Sequence, residues 1–156
     1  MQTFRRFLVL QALMIWQGGF FFYAAVVVPT GTRVLGSWWQ AQVTRHVTDR
    51  MNVIGAVALI ILGWDQLSAG GLRRARWALW GVMAGGLVAL AILHPAIEGH
   101  VEFGVEGRVV DYPAFYLLHR IYLYVATVQW VAALTYVAVT LRAWHRSGRL
   151  QEARGV

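Results

Sequence analysis

The sequence contains no cysteine and no lysine, few prolines and serines, and little charge of either sign: Asp, Glu, Lys and Arg together make up 13% of its 156 residues. Without cysteine there is no disulfide framework, thiolate zinc site, iron–sulfur cluster or cysteine nucleophile. The serines Ser37, Ser68 and Ser147 fall near the ends of apolar runs or in loops. None sits in a Gly-x-Ser-x-Gly elbow, and the chain carries neither a phosphate loop nor a dinucleotide fingerprint, so the usual enzyme constellations are missing. Apolar residues are abundant instead: 58% of the chain is hydrophobic, against about 45–50% in ordinary globular domains. Mean hydropathy is +0.53. A soluble domain of this length cannot hide so much apolar surface, which excludes an ordinary cytosolic enzyme. The net charge of +7 would by itself suggest nucleic acid. All 14 basic residues are arginines in short segments between long apolar runs, so the expected partner is the lipid bilayer and not nucleic acid.

A helix needs roughly 20 mostly apolar residues to cross the hydrocarbon of a bilayer. Four segments qualify, at about 7–28, 51–67, 77–93 and 113–141. Pro29 is expected to stop the first, and His94 and Pro95 follow the third. The fourth is long enough to extend beyond the bilayer. The segment Thr3–Leu8 faintly resembles a twin-arginine leader, but the apolar run after it exceeds the 7–15 residues or so of a signal core, so a retained helix is expected. Arginines in short loops set orientation. Arg5 and Arg6, then Arg73, Arg74 and Arg76, then Arg142, Arg146, Arg149 and Arg154 fall on one side. Arg33, Arg45, Arg50 and Arg108, offset by nearby carboxylates, fall on the other. The expected fold is therefore all-α: an antiparallel four-helix transmembrane bundle, a single integral membrane domain over 1–156 with both termini cytoplasmic. The arginine-only basic set suits the inner membrane of a bacterium with a GC-rich genome. The outer connections are 29–50 and 94–112, with residues 33–50 read as a short helix lying on the membrane surface.

Polar side chains inside a bilayer are costly and each needs an explanation. On the fourth span His119, Tyr122, Ala126, Gln129, Ala133 and Tyr136 recur at steps of three and four, placing them on one face. That face, with Tyr122, Gln129 and Tyr136 as its larger polar members, is expected to look into the bundle. It serves either interhelical hydrogen bonding or a ligand pathway. The third span carries Gly81 and Gly85 in a Gly-x3-Gly arrangement, suited to close packing inside the bundle or to a homodimer seam. At the outer end, His46 and Asp49 precede span two, His94, Glu98, His100 and Glu102 follow span three, and Asp111, His119 and Arg120 lead into span four. His94 and His119 close neighbouring helices at similar depth, the arrangement that ligates a haem b axially. With His46 and Glu98 they form instead a candidate set for a transition metal. His94 with Glu98, four residues apart, is also an acid–base pair for a lipid-soluble substrate. The plainer reading makes these residues structural, with Arg120 and Asp111 as outer-face charges that pair or reach for phosphate.

Three stretches resemble a small family of four-span membrane proteins of unknown function, the transmembrane-protein-205-like proteins. They are Trp16-Gln17-Gly18-Gly19-Phe20-Phe21-Phe22 running to Val28-Pro29 and Val34-Leu35, then Val43 through Asn52-Val53-Ile54-Gly55, then Phe115-Tyr116-Leu117-Leu118-His119. The resemblance implies a four-helix membrane bundle without established catalytic residues and carries over no site. Two functions are expected from the residues. One is a non-enzymatic accessory subunit or small-solute transport component, partnered by other membrane subunits or a second copy. The other is a haem- or metal-binding redox protein built on the outer histidines.

Overall fold

The computed structural model describes residues 2–67, 72–102 and 107–154. Four long helices dominate: α1 (Gln2–Leu35), α2 (Ser37–Leu67), α3 (Arg73–Glu98) and α4 (Tyr112–Arg154). All four are long and apolar enough to cross a membrane, as expected for a multi-pass membrane protein. Between α3 and α4 a two-stranded antiparallel hairpin, β1 (Val101–Glu102) and β2 (Arg108–Val109), pairs Val101 with Val109 and Glu102 with Arg108.

The helices run well past the expected spans. Pro29 does not stop α1. The turn before it, Tyr23–Val27, is π-helical, so the wider coil accommodates a proline that lacks an N–H and crowds the carbonyl four residues back. A second π-turn, Met14–Gly18, carries the buried Trp16 and Gln17. Helix α1 ends only at Gly36, whose φ of 84° lies in the left-handed region that glycine tolerates. The stretch 33–50, expected as a separate surface helix, is instead divided between the end of α1 and the first half of α2. No proline or glycine interrupts it between Ser37 and Gly55, so the helix simply continues. Likewise α3 passes through Pro95 to Glu98, because a proline one turn from the end sacrifices a single backbone bond. The outer connection at 29–50 is thus helical apart from Gly36, and the described parts of 94–112 are the end of α3, two short paired strands and the start of α4. In the connection between α2 and α3, residues 68–71 lie outside the described residues.

One core draws on every helix: Val9, Leu13 and Trp16 from α1, Leu59 and Leu62 from α2, Met83 from α3, and Ala132, Ala133 and Tyr136 from α4. The outward faces are apolar as well, with Val53, Ile60, Phe22, Val88 and Ile92 exposed. In water such surfaces invite aggregation, and in a bilayer they meet lipid. Asp111 caps α4, its Oδ1 accepting a 3.0 Å hydrogen bond from the Ala114 N–H. An N-cap carboxylate satisfies an otherwise orphan donor. Asp111→Ala is expected to lower stability by about 1 kcal/mol, measured as a small drop in melting temperature in detergent with the helical circular dichroism unchanged.

Candidate functional site

Charged side chains form two clusters at opposite ends of the bundle, one buried and one partly exposed, with a cleft between them. The larger cluster surrounds Asp65, which is 0% exposed near the end of α2. Its Oδ2 receives Arg76 Nη2 from the start of α3 at 2.5 Å, and its Oδ1 lies 2.8 Å from Arg5 Nε of α1. The latter pair is close but not aligned as a hydrogen bond, since both atoms lack a partner in that sense. Arg76, 1% exposed, donates further hydrogen bonds through Nε to Thr140 Oγ1 and through Nη2 to the Tyr136 hydroxyl, both 3.1 Å, on α4. One carboxylate thus gathers residues from all four helices. Beside it, the Arg6 guanidinium lies 5.3 Å from the centre of a Trp144 ring, joining α1 to α4.

Of this network the sequence pattern singles out only Tyr136; Arg5 and Arg76 read there as charges that set orientation, and Asp65 has no role in that reading. The signal was present: Asp65 closes an apolar run at an end otherwise populated by arginines. A carboxylate at that depth needs a cationic partner.

At the opposite end, His94 of α3 stands between two carboxylates. Its Nδ1 is 3.3 Å from Asp49 Oδ1 on α2, and its Nε2 is 3.7 Å from Glu98 Oε1 one turn along α3. Arg45 Nε approaches the same Glu98 oxygen at 2.7 Å. The expected His94–Glu98 pairing therefore exists, because the helix continues through Pro95. The wider metal set does not assemble. Asp49 and Glu98 sit on different ring nitrogens and do not converge on one point, His46 is exposed and belongs to none of these contacts, and no group of three such side chains among the described residues is arranged to hold a metal ion. His119 is exposed and stacks on Phe115, ring centres 5.8 Å apart. It lies off the buried face that Gln129 and Tyr136 share, and its ring contact is with Phe115. Arg120 and Asp111 are both exposed, as expected, but Asp111 serves as the α4 cap and is not an ion-pair partner for Arg120.

The rest of the α4 face is as expected: Ala126, Gln129, Ala133 and Tyr136 are buried and Tyr122 is half-buried. Gln129 donates to the Met83 carbonyl of α3 at 2.9 Å. Gly86 makes room for it, since a Cβ there would lie 3.3 Å from the Gln129 side chain. By contrast Gly81 and Gly85 have open space where a Cβ would be, so that pair does not pack helices within the bundle.

Between the clusters lies a cleft of about 30 Å³, room for roughly one water molecule. Its polar lining is Tyr23, Thr48, Asn52, Tyr122 and Gln129, and its wall includes Trp16 and Met51. Tyr122 faces Thr48. Tyr23 donates to Thr44 Oγ1 at 3.0 Å and accepts from Gln40 Nε2 at 3.2 Å, which holds its ring at the π-turn of α1. Toward Asp65 the cleft gives way to the apolar core of Leu59, Leu62 and Met83.

Compared with known proteins, the chain matches no family model, no curated protein and no solved structure.

Proposed function

We propose that this protein is a non-enzymatic component of a bacterial inner membrane that admits a small polar solute into an antiparallel four-helix bundle with both termini cytoplasmic. The observation that carries this reading is the water-sized cleft lined by Tyr23, Thr48, Asn52, Tyr122 and Gln129. Polar groups at the core of a membrane bundle mark solute or ion paths more often than lipid-facing positions do. In this reading the His94 cluster forms the outer rim, the apolar layer around Met83 is the barrier, and the Asp65 network closes the inner end. A role as accessory subunit for a larger membrane complex is compatible with the same bundle and predicts no flux of its own. The kinship with transmembrane-protein-205-like proteins stays part of this proposal and rests on the residues quoted above.

The cysteine-free chain provides its own test. Single variants Thr48→Cys and Asn52→Cys line the cleft, and Val57→Cys, exposed on the apolar surface of α2, is the lipid-facing control. A membrane-impermeant thiol reagent applied from outside is expected to modify the first two and spare the third. Stopped-flow swelling of proteoliposomes in urea, glycerol or ammonium gradients is expected to exceed that of empty liposomes for at least one solute, and to fall when Thr48→Cys is modified. Flux equal to that of empty liposomes for every solute, with unreactive cleft thiols, would overturn the transport reading in favour of the accessory one.

A further inference from the structure

We propose that the Asp65 end of the bundle binds a phosphate group at Arg5, Arg6 and Gln66, supplied by an anionic lipid headgroup or by free phosphate. Three guanidinium groups, Arg5, Arg6 and Arg76, meet one carboxylate, Asp65. Asp65 is already shared by Arg5 and Arg76, and Arg6 has only the Trp144 ring, with no ion pair among the described residues. The cluster therefore carries surplus positive charge in a half-buried setting, where an anion is the natural complement.

Gln66 is 1% exposed, yet neither its Nε2 nor its Oε1 has a hydrogen-bond partner. The Nε atom of Arg6 is likewise shielded from solvent without an acceptor, whereas that of Arg5 has the Asp65 carboxylate 2.8 Å away. Buried polar groups without partners are rare and point to a missing water, ion or ligand. Except for Glu98 Oε1, every such side-chain atom among the described residues belongs to Arg5, Arg6, Asp65 or Gln66.

Arg5 and Arg6 stand at the start of the apolar run of α1, and Gln66 stands at the end of α2, which is headgroup depth for a spanning helix. Consecutive on α1, the two arginines diverge, Arg5 toward Asp65 on α2 and Arg6 toward Trp144 on α4. Planar guanidinium forks match phosphate oxygens, and an amide N–H adds one more donor. The amide oxygen of Gln66 would take a hydroxyl, as offered by a glycerol headgroup. Exposed Arg73 and Arg74 at the start of α3 add to the field that draws anions to this end. The inference does not depend on solute flux. It rests on the proposed orientation only for which leaflet supplies the lipid.

Native mass spectrometry of the detergent-purified full chain, with equimolar phosphatidylglycerol and phosphatidylcholine, tests it. The expected result is preferential retention of phosphatidylglycerol, reduced about fivefold by Arg6→Gln and unchanged by substitution of the exposed Arg149 of α4, Arg149→Gln. Gln66→Leu keeps volume and removes only unpartnered atoms, so it is expected to fold and to lose retention, which protects the test if Arg6→Gln is unstable. Melting curves with inorganic phosphate against chloride at equal ionic strength separate the sources. Stabilisation by phosphate alone assigns a free anion, and stabilisation only by phosphatidylglycerol assigns a headgroup. Equal retention of both lipids with no effect of phosphate would overturn the proposal, as would equal losses in Arg6→Gln and Arg149→Gln.

Discussion

Asp65→Leu is expected to destabilise the protein by about 3–5 kcal/mol, the largest effect of any single polar substitution. The carboxylate is fully buried, and its removal leaves Arg76, itself 1% exposed, as an uncompensated charge inside the bundle. Arg5 is better placed to recover, because it retains 19% exposure and can turn toward the headgroups. The double variant Asp65→Leu/Arg76→Met is therefore expected to regain most of the loss, since apolar residues of similar size often replace a buried ion pair at little cost. Tyr136→Phe, which removes one neutral partner of Arg76, is expected to cost only about 1 kcal/mol. Melting in detergent, followed by circular dichroism and size exclusion, reads all three. If Asp65→Leu melts with the parent, the network contributes nothing to stability and its role in tying the four helices together is refuted.

Trp16→Ala is expected to cost about 3 kcal/mol, near the lower end for a buried aromatic. Lipid is as apolar as the core, so in a membrane the transfer part of the loss shrinks while the lost van der Waals contacts remain. Trp16 is 3% exposed and lies across Gly55 of α2. A Cβ on Gly55 would stand 2.6 Å from the indole Nε1 and 2.8 Å from Cε2, so a rigid ring would have to move. Gly55→Ala alone is accordingly expected to cost about 1–3 kcal/mol through overpacking. The double variant is expected to lose less than the sum, because the new methyl occupies part of the space the ring leaves. Strict additivity in that cycle would show that the two residues do not share the contact. Trp16 also walls the cleft, so Trp16→Ala should speed the modification of Asn52→Cys. A stability loss without faster labelling would separate packing from access.

The two clusters explain why polar residues survive in so apolar a chain. Arg45, Asp49, His94 and Glu98 join α2 to α3 at one end, and Arg5, Asp65, Arg76, Tyr136 and Thr140 join all four helices at the other. Helices in lipid gain little from apolar burial against one another. Directional polar contacts at both ends therefore do much of the work of choosing neighbours.

The number of spanning helices and the interior face of α4 were legible from local pattern alone. Apolar runs of spanning length report the membrane directly, and residues at steps of three and four share a face whatever the partner. Helix boundaries were less legible, because whether Pro29 or Pro95 ends a helix depends on neighbouring turns: a π-turn absorbs the first and a nearby helix end tolerates the second. The charged clusters were decided by tertiary structure. Arg5, Asp65 and Arg76 lie on three helices, and no spacing along the chain says which arginine reaches which carboxylate. His94 and His119 make the same point: their depth in sequence does not say what each ring meets, which is Asp49 and Glu98 for the one and Phe115 for the other, because packing sets the rotation of each helix about its axis.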